Sequence, residues 1–359
     1  MSAGRADVVV VGLGPAGARA AAAAAEAGAR VIALDRRQAA GLPVQCAEFV
    51  PALIGIEAQA MAAAVRQRIV AMATYVEDDA ADLTAPFPGH MLDRARFDAA
   101  LVERARAAGA QCRFGASVRR IDASGVTLAD GSRIVSPVVV GADGPRSRVG
   151  RAIGQANREL VETRQVSVAL HVPHDATDIF LSPAIPGGYA WLFPKAGIAN
   201  LGAGIDPAHR HALKRIVDGL HDRLVAQGRV GREVLARTGG AIPVGGMRVP
   251  CGRLGPLHAL LAGDAAGLAN PVTGAGIAAA VYSGGLAGAA AAALAGGDAT
   301  AGDAYAEELE AVLGASLERA LTRRRERATA LRDAPRKAAL RRGWIAYPDY
   351  WAASEEIAA

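Results

Sequence analysis

The chain opens with a short apolar run, a segment of small residues and a second apolar run, an order that predicts a strand, a helix and a strand. Residues 8–11 are four consecutive valines, and a β-branched run of this length is typical of a buried parallel strand. The Ala-rich helix is expected to end near Gly28, and the second strand to span residues 30–34. The N-terminal part therefore predicts a parallel α/β unit.

The turn between the first strand and the helix carries a glycine-rich motif. Gly-Leu-Gly-Pro-Ala-Gly occupies residues 12–17, and Asp35 follows the second strand. Gly12 allows a tight turn, Gly14 lets the backbone approach a pyrophosphate, and Gly17 lets the helix pack close to the strand. The helix N-terminus offers free N–H groups to phosphates, and Asp35 is placed to bind ribose hydroxyls. In this context the motif predicts a dinucleotide site.

Two later apolar runs also end in a glycine-flanked carboxylate. Residues 138–140 lead to Asp143, and residues 258–262 lead to Asp264. Ligands of open α/β sheets bind beyond the carboxyl ends of the strands. We therefore expect both carboxylates to lie at the nucleotide edge rather than in ordinary polar loops.

The remaining pattern predicts further helices and a second sheet. Apolar positions at helical spacing predict helices at residues 91–108, 209–225 and 303–332. Short strands are expected at residues 112–114, 117–121, 125–128 and 134–140, and an inserted antiparallel sheet at residues 164–172, 177–182, 189–193 and 198–205. The predicted fold class is α/β: a Rossmann-like nucleotide-binding domain, an inserted antiparallel β-sheet substrate domain and a C-terminal helical segment.

The expected domain organisation is discontinuous. The nucleotide-binding domain is assigned to residues 1–70, 91–158 and 251–300, and the β-sheet domain to residues 71–90 and 159–250. Residues 301–359 form the C-terminal basic helical segment.

Charge and composition exclude some classes of function for this chain. The 359 residues contain 40 Lys and Arg against 35 Asp and Glu, a net charge of +5, and 42 glycines. Residues 319–342 hold ten basic and two acidic residues, so the rest of the chain sums to −3. This distribution excludes a dedicated nucleic-acid binder. A basic and aromatic segment at residues 319–351 is typical of a partner surface, and we expect an acidic protein, a diphosphate substrate or a peripheral membrane contact there, or else a solvated helix face.

Cysteine, histidine and hydropathy patterns exclude several other classes. The three cysteines contain no CxxC pair, a usage that fits a reducing cytoplasm, and no ligand set accompanies the histidines, so no metal site is expected. Met1 to Asp7 does not resemble a signal peptide. Residues 265–297 carry no charge. Their Ala and Gly content favours a buried, ligand-facing helix over a membrane span.

The order of these motifs resembles the flavoprotein group that contains p-hydroxybenzoate hydroxylase. The resemblance rests on GLGPAG with Asp35, Asp93-Arg94 with Phe97-Asp98, GADGPRSRVG at residues 141–150 and GDAAGLANPVTGAGI at residues 263–277. It implies bound FAD, with NAD(P)H or another reductant as electron donor. The implied cofactor-binding residues are Gly12, Gly14, Pro15, Ala16, Gly17, Asp35, Arg36, Arg94, Asp143, Gly263, Asp264, Gly274, Ala275 and Gly276.

The resemblance also implies roles along the cofactor. Asp35 and the first glycines would hold the ADP half, and Arg94 and Asp143 would lie near the pyrophosphate. Asp264 would bind the ribityl chain. The N–H groups at Gly274 and Gly276 would face the flavin edge that becomes negative on reduction, where a helix N-terminus is stabilising.

A narrower resemblance is to the geranylgeranyl reductase subgroup. Tyr-Ala-Trp-Leu-Phe-Pro at residues 189–194, followed by Gly-Ala-Gly at residues 202–204, is similar to its YxWxFP…GxG signature. The resemblance implies that Tyr189 and Trp191 line the substrate tunnel and that Cys46 lies near the flavin, although its loop has fewer glycines than is usual in the subgroup. The alternatives are that the two aromatics are ordinary half-buried strand residues and that Cys46 is a structural thiol.

Three functions remain open from the sequence. The first is FAD-dependent reduction of C=C bonds in an apolar isoprenoid-type substrate by hydride transfer. The second is flavin-dependent hydroxylation of an aromatic group, including one on a partner protein, as in the maturation of protein-derived quinone cofactors. The third is a flavin-binding carrier with little catalysis. The first two predict an apolar small-molecule or protein-borne substrate and a cytoplasmic enzyme, with membrane association as an option.

Overall fold

The computed structural model describes residues 3–51, 62–333 and 336–352, and its strands and helices are numbered here in chain order. The strands are β1 (Ala3–Arg5), β2 (Val8–Val11), β3 (Val31–Leu34), β4 (Phe49–Pro51), β5 (Val65–Ile69), β6 (Ala71–Val76), β7 (Asp82–Thr84), β8 (Gly89–Leu92), β9 (Gln111–Arg113), β10 (Val118–Asp122), β11 (Gly125–Leu128), β12 (Arg133–Val135), β13 (Val138–Gly141), β14 (Leu160–Leu170), β15 (Ala176–Leu181), β16 (Tyr189–Lys195), β17 (Ile198–Ile205), β18 (Val230–Pro243), β19 (Cys251–Leu254) and β20 (Leu257–Leu261).

The helices are α1 (Pro15–Glu26), α2 (Arg94–Ala107), α3 (Arg148–Ala152), α4 (Leu213–Ala226), α5 (Ile277–Ala295), α6 (Ala301–Leu309), α7 (Ala315–Asp333), α8 (Arg336–Arg342) and α9 (Pro348–Trp351). Pro207–Ala212 and Gly263–Ala266 form 3₁₀ turns, and Glu310–Gly314 forms a π-turn between α6 and α7. The fold is the predicted mixed α/β class, with C-terminal helices.

The nucleotide-type sheet brings the three glycine-containing strand ends together. Its strand order is β19-β20-β13-β2-β3-β9, and all of its pairs are parallel except β19 with β20. Because β2, β13 and β20 are direct neighbours and parallel, Gly12, Gly141 and Gly263 follow the same edge of the sheet. This edge is the ligand edge of an open α/β sheet.

The inserted sheet lies beside this edge. Its order is β18-β14-β17-β16-β15-β6-β7, antiparallel except for the β15–β6 pair. α4 packs on one face. The other face packs against α7, α8 and α9 through Trp191, Phe193, Leu340, Trp344 and Tyr350. A small sheet, β4-β8-β5, and another, β1-β12-β11-β10, complete the described strands. The domain boundaries given above stay predictions.

Several predicted elements have different limits in the structure. The helix predicted from residue 91 begins at Arg94, because residues 91 and 92 belong to β8 and the Asp93 side chain caps α2 by accepting the Arg96 N–H at 3.1 Å. The strand predicted over residues 134–140 is two strands, since Pro137 supplies no N–H donor to continue the first. The long C-terminal helix is interrupted by the π-turn, and β18 was not predicted.

Close contact between α1 and α5 explains the small-residue composition. A Cβ on Gly284 would lie 2.2 Å from the Ala16 carbonyl oxygen, and one on Gly288 would lie 2.3 Å from the Ala20 carbonyl oxygen. In the part of the chain that the structure describes, α5 is the one helix long and apolar enough to cross a membrane. Its backbone packs directly on α1, and Ser283 Oγ accepts the Gly263 N–H at 2.9 Å, so α5 also positions the turn at Asp264.

We expect Gly284→Ala to lower the free energy of unfolding by about 3 kcal/mol, because the two helices must separate to admit the methyl group. Gly219→Ala is the matched control: Gly219 lies in α4 with open space around its Cβ position, so added helix propensity predicts no loss. Thermal unfolding of both variants tests this. Equal melting temperatures for the two variants would contradict close α1–α5 packing.

Candidate functional site

The first glycine motif has the geometry that a pyrophosphate-binding turn requires. Gly12 has a φ of 98°, and a Cβ there would lie 2.2 Å from the Ala142 carbonyl oxygen. A Cβ on Gly17 would overlap the Gly12 carbonyl oxygen at 1.8 Å. At Gly14, by contrast, the nearest atom to a Cβ would be Arg37 Nη2 at 3.9 Å. Gly12 and Gly17 are therefore needed for the turn itself, whereas Gly14 keeps space open beside the N-terminus of α1.

Asp35, which directly follows β3, is bound to this turn. It is 5% exposed and accepts hydrogen bonds from the Leu13 N–H at 2.8 Å and from Arg37 Nη2 at 2.7 Å. Burial alone would raise the pKa of Asp35, but Arg37 and the backbone donors lower it. Arg36, the predicted cofactor residue, is exposed, and its neighbour Arg37 is the arginine beside Gly14 and Asp35. The role of Arg36 stays a prediction.

Asp143 has a structural set of contacts at the neighbouring strand end. Its carboxylate accepts the Ser147 hydroxyl and the Arg148 N–H, the latter at 2.6 Å, and thereby holds the N-terminus of α3. Burial raises the pKa of Asp143. The predicted contact of Asp143 with the cofactor stays a prediction.

Asp264, at the third strand end, is differently placed. Its backbone carbonyl accepts Asn157 Nδ2 at 2.8 Å, whereas its carboxylate has no hydrogen-bond donor among the described residues. A Cβ on Gly276 would lie 3.2 Å from Asp264 Oδ1, so the carboxylate borders the start of α5. Burial raises the pKa of Asp264 to about 6, and the charge of Arg94 opposes this rise. A carboxylate without a partner at the nucleotide edge fits the hydroxyl groups of a ribityl chain.

The loop before α5 is held by Asn270. Asn270 Oδ1 accepts the N–H groups of Val272 and Thr273, each at 3.0 Å, and the Gly274 N–H donates to the Asn270 carbonyl at 2.9 Å. Gly274 has a φ of 69°, which favours glycine. The loop leads through Ala275 to Gly276, the N-cap of α5, so the helix N-terminus opens beside Asp264.

Arg94 connects the nucleotide edge to Cys46. Its guanidinium binds Asp98 through two hydrogen bonds, Nε to Oδ1 at 2.9 Å and Nη2 to Oδ2 at 3.0 Å. Burial would lower the pKa of Arg94, but the charges of Asp98 and Cys46 raise it above its usual value. The charge of Arg94 therefore reaches both the Cys46 thiol and the Asp264 carboxylate.

The Cys46 loop is fastened to three strands of the inserted sheet. The Val44 carbonyl accepts Thr238 Oγ1 at 2.5 Å, and the Cys46 carbonyl accepts Gln165 Nε2 at 3.2 Å. The Ala47 carbonyl accepts Asn200 Nδ2, also at 3.2 Å. These bonds come from β18, β14 and β17, so the inserted sheet sets the position of the thiol.

Glu48, which follows this loop, is buried, and its carboxylate connects β16, β17 and the start of α2. It is 5% exposed and has a φ of 70°. Its carboxylate accepts Lys195 Nζ at 2.6 Å, Asn200 Nδ2 at 2.9 Å and the Arg94 N–H at 3.0 Å. These partners satisfy a charge that would otherwise be costly to bury. Glu48, Lys195 and Asn200 were not singled out in the sequence, and the only signal there for Glu48 is its position two residues after Cys46.

Tyr189 and Trp191 lie on the face of β16 that the C-terminal helices cover. The Trp191 ring lies over the neighbouring strand, since a Cβ on Gly202 would be 2.5 Å from Trp191 Cζ2. Trp191 Nε1 donates to Gln165 Oε1 at 3.1 Å, and Gln165 in turn holds the Cys46 carbonyl. Gly202 of the GxG motif therefore makes room for the indole, whereas a Cβ on Gly204 would meet Val161 Cγ1, at 2.9 Å.

Tyr189 joins this face to the loop before α5. Its hydroxyl donates to the Thr273 carbonyl at 2.6 Å, and its ring contacts Trp191 and Trp344. Burial raises the pKa of Tyr189. The structure thus brings together Tyr189, Trp191 and the Cys46 loop beside the predicted flavin edge.

Part of the basic C-terminal segment is buried, and another part pairs with acidic residues at the surface. Arg323 is 1% exposed and donates to the Tyr350 carbonyl at 3.0 Å, and Arg324 donates to the Gly187 carbonyl at 2.7 Å. Lys337 and Arg341 pair with Asp79. The partner surface at residues 319–351 stays a prediction. Within the described ranges, no group of three or more His, Cys, Asp or Glu residues is placed to hold a metal ion.

Comparison with known proteins assigns the chain to a family. An FAD-binding domain family matches residues 5–188, and the geranylgeranyl reductase catalytic domain matches residues 160–242. The chain is 36% identical over 315 residues to digeranylgeranylglycerophospholipid reductase 2 of Methanopyrus kandleri, with 80% of this chain and 76% of that protein covered. It is 33% identical over 312 residues to the reductase 2 of the same name from Methanosphaera stadtmanae, with 80% and 77% covered. The chain belongs to the geranylgeranyl reductase family of FAD-dependent oxidoreductases.

Solved structures share the fold of this geranylgeranyl reductase family member. A geranylgeranyl bacteriochlorophyll reductase-like protein from Thermoplasma acidophilum has a TM-score of 0.81 at 24% identity, covering 97% of this chain and 92% of that chain. A probable FAD-dependent monooxygenase from Pseudomonas aeruginosa has a TM-score of 0.68 at 19% identity, covering 94% and 99%. At these identities the likeness shows the fold alone. The sequence relatives favour the predicted reductase over the hydroxylase.

The described residues fit FAD. Gly14 leaves a cradle that a Cβ would fill, and the α1 and α5 N-termini open at the same sheet edge. Asp264 supplies a carboxylate that accepts no hydrogen bond from the described residues. These are the groups that a pyrophosphate, a flavin edge and a ribityl chain need. The residue-level contacts with FAD stay predictions.

We expect Gly14→Val to abolish FAD retention and to leave the fold intact. Gly14 has a φ of −77° and a ψ of −171°, which valine adopts readily, so the side chain only fills the cradle. The flavin content of the purified protein, read from its absorbance, measures the effect. Gly219→Val, on the open surface of α4, is the control and should retain FAD. Full FAD occupancy in Gly14→Val would contradict the site.

Proposed function

We propose that this protein uses FAD to saturate C=C bonds in the polyprenyl chains of a phosphorylated isoprenoid lipid, with NAD(P)H or another reductant as electron donor. The observation that carries the proposal is the aromatic face of β16. Tyr189 and Trp191 lie next to the loop that precedes α5, under a cover of apolar side chains from α7, α8 and α9. The named activity of the 36%-identical relative supports this substrate class.

The side chains on this face are suited to binding an alkene chain. Because Gly202 has no side chain, the Trp191 ring lies directly over β17, and its hydrogen bond to Gln165 fixes the orientation of the indole. The ring is therefore a rigid apolar wall. Phe193, Met72 and Ile179 extend the apolar surface on the same side of the sheet. These side chains are buried against the C-terminal helices, so a polyprenyl chain that enters between the sheet and the helices would be held by burial of apolar area, with water excluded from the reacting carbons.

Saturation of a C=C bond requires a hydride and a proton. FAD, when bound and reduced, supplies the hydride. We assign the proton to Cys46, whose Sγ accepts the Glu48 N–H at 3.2 Å. Arg94, whose charge interacts with Cys46, would balance the negative charge left on sulfur after the proton has moved to carbon. The two hydrogens then both reside on the product, and the thiolate regains a proton from solvent.

The proposed substrate also indicates where in the cell the enzyme acts. A polyprenyl lipid resides in a membrane, so the enzyme is expected to act from the cytoplasm through a peripheral contact. The exposed side chains of the segment at residues 319–351, among them Arg319 and Trp351, are the proposed contact surface.

Turnover with and without oxygen tests the reaction class. The FAD-loaded protein, reduced with dithionite under nitrogen, is incubated with geranylgeranyl diphosphate, and the products are analysed by mass spectrometry. We expect products that have gained pairs of hydrogen atoms without oxygen. Products that contain oxygen from ¹⁸O₂, with none formed under nitrogen, would establish the hydroxylase instead.

Cys46→Ser tests the proton donor. Because a serine hydroxyl is a far weaker acid than a thiol, we expect kcat to fall about 100-fold with FAD content unchanged. Cys112→Ser, in the edge strand β9 of the parallel sheet, is the matched control and should keep wild-type kcat. A wild-type kcat in Cys46→Ser would assign Cys46 a packing role.

A further inference from the structure

One buried cation near the aromatic face forms no ion pair with the described residues. Arg327 on α7 is 4% exposed, and its Nη1 has no hydrogen-bond partner in the described part of the chain. Among the described residues, the groups whose charge acts on it are Arg324, a second cation, and the Tyr189 phenol. Burial and the charge of Arg324 lower the pKa of Arg327 to about 10, so the side chain is still a cation at neutral pH. A buried, uncompensated cation is costly, and it indicates a site for an anion.

A second buried donor lies in the same cluster. Trp344 is 1% exposed, and its Nε1 also has no hydrogen-bond partner among the described residues. Its ring meets the Tyr189 ring edge-on, with the centroids 4.9 Å apart. The Tyr189 hydroxyl donates to the Thr273 carbonyl, and its oxygen accepts a hydrogen bond from neither Arg327 Nη1 nor Trp344 Nε1.

The backbone next to Trp344 is adapted to the arginine. A Cβ on Gly343 would lie 2.7 Å from Arg327 Cδ and 2.8 Å from Arg327 Cβ, so the arginine stem lies directly on the Gly343 backbone. Arg324, three residues earlier on α7, donates from its Nη1 to the carbonyls of Gly187 and Pro271, at 2.7 Å and 3.2 Å. Arg327 is therefore held in place with its Nη1 donor left over.

The position of Arg327 favours the substrate over the flavin as the source of the anion. The cation whose charge reaches Asp264, on the nucleotide side, is Arg94. Arg327 instead lies against Gly343, the residue before Trp344, and its charge interacts with the Tyr189 phenol. Both aromatic residues belong to the apolar cluster between the inserted sheet and the C-terminal helices. A guanidinium and an indole N–H are donors without acceptors, a combination that suits phosphoryl oxygens.

We propose that Arg327 and Trp344 form a subsite for the phosphate or diphosphate group of the substrate, placed by the C-terminal helices at one end of the aromatic face. The inference rests on the proposed function and deepens it. Occupation of this subsite would fix the polar end of the molecule, and the polyprenyl chain would extend along the wall formed by Trp191. The subsite gives the enzyme a preference for phosphorylated isoprenoids over the corresponding neutral alcohols.

Two measurements on the FAD-loaded protein test the subsite. In the first, inorganic pyrophosphate alone is added and the melting temperature is followed. In the second, KM is determined for geranylgeranyl diphosphate and for geranylgeraniol, which has the same chain without the charge. We expect Arg327→Met to abolish the pyrophosphate-induced rise in melting temperature and to raise KM for the diphosphate about tenfold or more, with KM for the alcohol unchanged.

The controls separate charge from packing. Arg325→Met removes an exposed arginine two residues away on α7 and should behave as wild type in both measurements. Trp344→Phe keeps an aromatic ring but removes the N–H and leaves a smaller side chain, so it should raise KM for the diphosphate about threefold with KM for the alcohol unchanged, whereas a packing defect would raise both. Trp344→Phe carries the test by itself if Arg327→Met does not fold.

The outcomes distinguish the subsite from the proposed function. Wild-type pyrophosphate binding in both Arg327→Met and Trp344→Phe, or an equal rise in KM for diphosphate and alcohol, would overturn the subsite. If the wild-type protein reduces neither isoprenoid, the proposed function fails. The pyrophosphate measurement, which needs no turnover, then still decides whether Arg327 binds an anion.

Discussion

The buried carboxylate of Glu48 joins the parallel sheet to the inserted sheet, and the geometry of the site depends on it. One of its oxygens accepts the backbone N–H of Arg94 at the start of α2, and the other accepts Lys195 and Asn200 from β16 and β17. Cys46 lies two residues before it, so the same junction places the thiol, the Arg94 guanidinium and the β16 face. Loss of one partner would leave a buried, unpaired charge, which typically costs about 3–5 kcal/mol.

The second constraint is the close approach of neighbouring elements to one another, which explains why several positions are glycine. Gly284 and Gly288 let α5 lie directly on α1, which brings both helix N-termini to the ligand edge of the parallel sheet. Gly202 lets the Trp191 ring lie over β17, and Gly343 lets the stem of Arg327 lie against the backbone. In each pair a methyl group would separate elements that have to touch.

Local patterns predicted the nucleotide edge and the aromatic face, because valine runs, glycine turns and strand alternation are encoded within a few residues. They did not predict the Glu48–Lys195 pair, whose partners are 147 residues apart in the chain. They also did not show that Arg323 and Arg327 are buried, since a run of basic residues on a helix is read as solvated until the packing of the helix is known. The extent of β18 was missed because its polar and glycine-rich sequence lacks a strand pattern.

The central claim is that the flavin edge and the face formed by Cys46, Tyr189 and Trp191 make up one reductase active site. The most direct measurement is a single anaerobic turnover in a stopped-flow spectrometer, with the reduced FAD enzyme mixed with geranylgeranyl diphosphate. The account predicts that the absorbance of oxidised flavin returns at a rate that saturates with substrate concentration. A flavin that stays reduced at all substrate concentrations and is reoxidised only when oxygen is admitted would contradict it.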